Sequence, residues 1–374
     1  MKKIVLAPDK FKGSLSGAQF CEIVGQVLEK YPVNVVKLPL ADGGDGTIDV
    51  MNYYLKGEFI TVMVKDPLFR TKQAKYFFSK AHQIAFIEMA EASGMKCLKK
   101  EAQNCMHTTT YGTGELILNA LNKGITHIIL GLGGSATNDC GIGMAMALGY
   151  QFFDENDNLI QPIGSELIKI KKINTSKVDP RLNNVKIEVA CDVDNPLYGP
   201  NGAAYTYAQQ KGANSKEIEF LDRGLKSFAE VIKETFNINP QKIKGAGAAG
   251  GMGCASVVFL KSSLTPGIDL IKKCSDFDKK ITDAAWIITG EGQLDQQTLS
   301  GKAIAGVIHS AKKHKIPVAV FCGGSTLSKK ELEKFGINYM DSVLESAKDL
   351  EDAITNVKIY LEDMAEKFFH TQLT

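Results

Sequence analysis

The chain has 374 residues, 44% of them hydrophobic, and 44 lysines and arginines face 42 acids for a net charge of +2. That length exceeds one ordinary core and predicts two α/β domains, while the balanced charge gives none of the basic excess of a nucleic-acid binder. The apolar runs are too short to span a membrane and MKKIVLAPDK turns polar too early for a secretion signal; eight scattered cysteines without a CxxC pair then make free thiols in the reducing cytoplasm the expectation.

Lys3 to Ala7 is a β-branched and aliphatic run that ends in APDKFKGSLS, and Ala18 to Glu29 shows helical spacing of apolar residues. Ser14 and Ser16 are candidate caps of that helix. Val33 to Leu38 reads as a second strand, released through the glycines of PLADGGDGT into a helix from Ile48 to Tyr54. In the middle, AKYFFSK and QIAFIEMA read as strands, and HTTTYGTGELILNALNKG passes through a helix into a strand from His127 to Leu130 that ends in GLGGSATND. A polar helix from Glu217 to Phe236 follows, and GAGAAGGMG precedes another apolar segment. The opening pattern returns at the far end: a strand from Ala285 to Thr289 ending in GEGQLDQQTLSGK, a helix from Ala303 to Lys313, and a strand from Pro317 to Phe321 ending in CGGS. Such alternation predicts a parallel, helix-covered sheet whose ligands bind beyond the carboxyl ends of its strands.

Phosphoryl transfer needs backbone N–H donors and cations around the phosphates, carboxylates to hold magnesium, and a base for the attacking hydroxyl. Glycine-rich turns that open helices supply N–H donors to an anion, which fits GLGGSATND, GAGAAGGMG and GTGEL. The acids in or beside loops are Asp42, Asp45, Asp192, Asp194, Glu291 and Asp295, and the cations are Lys12, Lys211 and Lys302. Each has a plainer reading: glycines serve tight turns and close packing, acids cap helices, and most lysines are solvated. Asp42 in its crowd of glycines and Asp192 with Asp194 and Asn195 close behind are the acids for which chemistry outweighs capping. A competing reading takes GLGGSA as a dinucleotide fingerprint with Asp154 as its ribose acid, which would make the protein an NAD(P)-dependent dehydrogenase of a small hydroxy acid. No Walker P-loop is present, because Gly301-Lys302 lacks the upstream glycine and a following Ser or Thr.

Taken together, APDKFKGSLS, PLADGGDGT, HTTTYGTGEL, GLGGSATNDCGIGMAMALG, ACDVDNPLYGPNGAAYTYAQQKGA, GAGAAGGMG and ITGEGQLDQQTLSGKA resemble the glycerate kinase family in order and spacing over nearly the whole chain. The resemblance implies ATP-dependent phosphorylation of D-glycerate, leaning toward the 2-hydroxyl, with magnesium. It further implies a Rossmann-like domain built from both chain ends, residues 1–72 and 283–374, and an inserted α/β domain with a mixed sheet, residues 73–282. Asp45 stands where the family usually has Glu, Gln293 where Arg is common, Cys140 for a frequent glycine and Lys10 for a frequent serine.

The roles expected on this basis are as follows. Asp42, Asp192 and Lys12 carry catalysis, with Asp42 or Asp192 as the base. Asp9, Ser14, Gly43, Gly44, Glu291 and Asp295 bind glycerate. Gly133, Gly134, Ser135, Thr137, Asn138, Asp139, Gly247, Gly250, Gly251 and Lys211 bind the nucleotide, and Asp192 with Asp194 hold magnesium. The partners expected are glycerate and ATP, with no nucleic acid or membrane, for a monomer or homodimer whose domains close around the substrates.

Overall fold

The computed structural model describes residues 1–11, 13–44, 46–296 and 303–374. Its strands are β1 (Lys2–Leu6), β2 (Val33–Lys37), β3 (Glu58–Lys65), β4 (Thr71–Ser79), β5 (Ile84–Glu88), β6 (His127–Gly131) and β7 (Gln151–Phe153). They continue with β8 (Lys172–Asn174), β9 (Lys186–Ala190), β10 (Ser263–Thr265), β11 (Trp286–Leu294), β12 (Val318–Ser325) and β13 (Tyr339–Ser342). The chain divides into two units, one of Met1–Tyr54 with Pro266–Thr374 and one of Leu55–Thr265.

The first unit carries a sheet of order β13-β12-β11-β1-β2 in which every pair is parallel. Strands flanked on both sides and covered by helices must be apolar throughout, and Ile4, Val5 and Leu6 of β1 are fully buried. Helices Gly17–Leu28 and Val357–Gln372 contribute Phe20, Val24, Leu361 and Phe368 to the same core as Ile288 and Phe321. The Phe321 ring lies 5.9 Å from Phe368 and 6.2 Å from Phe20; burying each ring contributes about 1.5–3 kcal/mol. Ser16 and Gln19 form a reciprocal capping box that starts the first helix, whereas the Ser14 hydroxyl donates to the carbonyl of Ile354 at 3.3 Å and caps nothing.

The strands expected to stop at Thr289 and Phe321 run on to Leu294 and Ser325, paired as Glu291 with Cys322 and Gln293 with Gly324. The glycines read as loop formers permit this close pairing, since a Cβ on Gly290 would collide with the carbonyl oxygen of Phe321 and one on Gly323 with that of Gly292. Glu291 therefore sits on a strand.

The second unit holds a mixed sheet of order β10-β9-β6-β5-β4-β3, parallel from β10 to β5 and antiparallel through β4 and β3. Phe152, Phe228 and Phe259 meet at 5.7–6.4 Å in its core beside Leu116, Ile128 and Leu130. The division falls after Tyr54 and before Pro266, not at 72 and 283, because β3 pairs with β4 along its whole length and belongs to this sheet. As an edge strand with four of its eight residues exposed and apolar residues on both faces, β3 lacks the clean alternation that marks a strand in sequence. All eight cysteines are free, and among the described residues no helix is long and apolar enough to cross a membrane.

Candidate active site

In the first unit the strand order reverses at β1, with β2 on one side and β11 on the other, and the crevice beyond such a switch point is where open α/β sheets take ligands. Backbone bonds beyond the strands carry the acids there: Asp9 N–H donates to Gly290 O at 2.9 Å, and Leu40 N–H to Pro8 O at 2.8 Å. Asp9, Ser14, Asp42, Gly44, Glu291 and Gln293 line one cavity of about 530 Å³. Asp9 and Glu291 are nearly buried, at 8% and 7% exposure. Asp9 Oδ1 accepts from the Lys10 N–H at 2.7 Å, and Asp42 Oδ1 from the Gly44 N–H at 3.1 Å across Gly43, whose φ of 91° requires glycine. Three carboxylates around one cavity can accept hydrogen bonds from hydroxyl groups and take a proton from one of them. Gly43 lies beside this lining, and Asp295 follows the end of β11 at the same edge. Lys12, Asp45 and Lys302 fall outside the described residues. Lys10 and Gln293 line the cavity too, although as departures from the family pattern they had given no signal of their own.

In the second unit the loop after β6 brings Gly133 and Gly134 to the surface at the carboxyl edge of the sheet, with Gly134 at φ 72°. The residues that follow turn inward. Lys211 Nζ donates to Ser135 Oγ and to the Thr137 carbonyl, each at 2.8 Å, and Thr108 Oγ1 donates to Ala136 O at 2.8 Å. Asp139, without exposed surface, accepts from Thr110 N–H (2.8 Å), Thr110 Oγ1 (2.7 Å), Gly141 N–H (3.2 Å) and Gly143 N–H (3.3 Å). Burial raises the Asp139 carboxyl above its ordinary range, opposed by those bonds, and burial lowers Lys211 from 10.5 to about 8, opposed by Cys105 and Asp139. Thr137 Oγ1 and both ends of the Asn138 amide are buried without a hydrogen-bond partner among the described residues, the mark of a place that water or a ligand completes.

Several of the residues expected at the nucleotide site make contacts within the loop and beneath it. Asp139 and Lys211 spend their polar atoms on the loop itself and act as its latch and strut. Gly250 and Gly251, at φ 71° and 96°, form a floor beneath it: a Cβ on Gly250 would collide with Thr137 O, and one on Gly251 with Cys140. Gly247 is buried and donates to Asn195 O at 2.9 Å. In GTGEL, Gly112 and Gly114 admit close contact with Lys65 O and Met144 O. The helix Ile142–Ala147 after GLGGSATND has its first N–H groups taken by Asp139. What faces outward is Gly133 and Gly134, with Ser135 beneath them at 7% exposure.

Asp192 and Asp194 follow β9, the parallel neighbour of β6, so they reach the same edge as Gly133 and Gly134. Both are exposed, and Asp194 pairs with Lys244 at 3.1 Å. Among the described residues no cluster of three or more His, Cys, Asp or Glu is arranged for a metal. Two accessible carboxylates suit magnesium, which takes one or two from protein and the rest from phosphates and water. The dinucleotide reading does not hold: Asp154 follows β7, which pairs with β8 outside the sheet of β6, and its carboxylate accepts from Asn156 N–H and Asn158 N–H as a turn cap. A ribose acid must end a strand beside the fingerprint strand.

A parallel sheet with acids around its switch-point crevice, joined in sequence to a mixed sheet with a glycine turn and two acids at its carboxyl edge, defines an α/β enzyme acting on small ligands at strand ends. The sequence model of the glycerate kinase family matches residues 4–373, and the chain belongs to that family. It is 44% identical over 355 residues to a glycerate kinase of Bacillus cereus, covering 94% of this chain and 93% of the relative. It is 42% identical over 357 residues to the glycerate 2-kinase of Escherichia coli, again covering 94% and 93%. The solved structure described as glycerate kinase 2 of Salmonella typhimurium superposes with a TM-score of 0.88 at 39% identity, covering 100% of both chains.

Proposed function

We propose that this protein is a cytoplasmic kinase that transfers the γ-phosphoryl group of ATP to the 2-hydroxyl of D-glycerate, giving 2-phosphoglycerate and ADP, with magnesium. The observation that carries the reading is the convergence of Asp9, Asp42 and Glu291 on one cavity at the switch point of the parallel sheet. In this reading Asp42 takes the proton of the glycerate hydroxyl as its oxygen bonds to the γ-phosphorus and the bond to the ADP oxygen breaks. Asp9 and Glu291 accept from the hydroxyl groups and fix their orientation. Ser14 and the N–H group of Gly43, with Lys12, hold the carboxylate, while the Gly44 N–H orients Asp42. Gly133 and Gly134 present backbone N–H groups to the nucleotide phosphates, and Asp192 with Asp194 would hold magnesium. The metal supplies charge neutralisation of the phosphates when bound.

Incubation with ATP, magnesium and D-glycerate, followed by phosphorus NMR, is expected to show the 2-phosphate. Asp42→Asn and Asp192→Asn each lower turnover by orders of magnitude in a folded protein; near-normal activity in either removes that residue from the scheme. ATP, and not NADH, raises the melting temperature.

A further inference from the structure

The segment DPLFR, residues 66–70, joins β3 to β4, and neither the sequence motifs nor the scheme above gives it a role. Asp66 is 4% exposed. Its Oδ1 accepts from the backbone N–H groups of Leu68 (2.8 Å) and Arg70 (2.9 Å), and its Oδ2 from Arg70 Nε (2.7 Å). Phe69 adopts φ 61°, a left-handed conformation unusual for an aromatic residue, with its ring 6.1 Å from Tyr111. The plain reading is a capped hairpin turn with a surface ion pair, worth little by itself.

Two features go further. The buried acid engages only Nε, so the guanidinium is aimed by its inner nitrogen. Both Nη groups have no partner among the described residues, and the side chain is 59% exposed. That is a planar fork held in place with its outer face available for an anion, the arrangement that suits carboxylate or phosphate oxygens. The second feature is its place. β3 runs in the same direction as β5, β6 and β9, so the turn lies at the carboxyl edge that carries Gly133, Gly134 and Asp192. The Pro67 carbonyl accepts from Thr109 N–H at 3.0 Å, and the adjacent Thr108 hydroxyl donates to Ala136 O of the glycine loop at 2.8 Å. The turn is thus clipped to the loop expected to meet phosphate.

We infer that Arg70 is a further catalytic residue that binds an anionic oxygen of the reactants, a phosphate of the nucleotide or the carboxylate of the acid, and that Asp66 is the positioning residue that aims it. The inference rests on the kinase reading for its reaction, but its binding half stands without it.

The test compares wild type, Arg70→Ala, Arg70→Lys and Asp66→Asn by steady-state kinetics with ATP and D-glycerate and by calorimetric titration with ATP and, separately, D-glycerate. Thermal unfolding confirms that each variant is folded. Arg70→Ala is expected to weaken one reactant tenfold or more; weakened ATP assigns the phosphate and weakened glycerate the carboxylate. Arg70→Lys recovers only part of the loss, because a single ammonium cannot present the fork. Free guanidinium at millimolar concentration restores turnover to Arg70→Ala but not to Asp42→Asn, which a merely structural arginine would not do. Asp66→Asn shows a smaller loss in the same parameter. Constants for Arg70→Ala within twofold of wild type, without guanidinium rescue, overturn the inference. Should wild type itself turn over no glycerate, the kinase reading fails, and the titrations alone then decide: a tenfold weaker anion in Arg70→Ala sustains the site, equal binding removes it.

Discussion

Replacing Asp139 by alanine measures how much the loop after β6 depends on one buried carboxylate. The substitution removes the acceptor of three backbone N–H groups, those of Thr110, Gly141 and Gly143, in a place without solvent access. The Thr110 hydroxyl loses its acceptor as well but keeps the bond it accepts from Met144 N–H at 2.9 Å. Each stranded buried donor costs about 1–3 kcal/mol. A water entering the vacated volume satisfies one of them, and removing a carboxylate whose ionisation burial opposes returns part of the rest. The expected net loss is about 4 kcal/mol, read by urea unfolding as a lower midpoint at unchanged slope, or as a melting temperature lower by about 10 °C. Asp139→Asn keeps the volume but turns one acceptor into a donor facing other donors, so its loss lies between wild type and alanine. A loss below about 1 kcal/mol in the alanine variant would mean that the N–H groups find other partners, and the latch would be refuted.

Lys211 gives a pH dependence of definite sign. Its ammonium titrates at about 8 in the folded chain and 10.5 in the unfolded one; between those values the unfolded state holds a proton the native state has released, so this residue makes stability rise with pH. Below pH 8 the penalty of the buried charge is present in full. The difference in unfolding free energy between wild type and Lys211→Met should change by about 3 kcal/mol from pH 8 to pH 10.5, and a pH-independent difference would show that the lysine is not buried as a cation. Gly250→Ala places a Cβ against Thr137 O at a φ of 71° and should destabilise by at least about 2 kcal/mol. A neutral result in chemical denaturation would contradict the close packing beneath the loop.

Legibility followed how local the determining physics is. The alternation of strand, loop and helix at both chain ends could be read because buried parallel strands are continuous apolar runs, as Ile4 to Ala7 and Val318 to Phe321 are. Asp42 could be singled out because a carboxylate crowded by glycines after a strand has few other uses. Asp66 and Arg70 gave no such signal, since a buried acid that aims an arginine looks in sequence like any turn between two strands. β3 was missed for a related reason: with Phe59 at 45% and Met63 at 58% exposure, its apolar residues do not sort by face.

By itself the sequence determined the order of strand, loop and helix at both chain ends and that acids follow several of those strands, since these depend on neighbours one to four residues apart; that the two ends share one parallel sheet was implied only by the family resemblance. What only the tertiary structure decided is what each glycine and each acid touches. Gly133 and Gly250 look alike in their motifs, yet one meets solvent and the other presses on Thr137. Asp42 and Asp139 both sit among glycines, yet one lines a cavity and the other is sealed beneath a loop. Burial and hydrogen-bond partners are set by residues tens of positions away, and no local pattern encodes them.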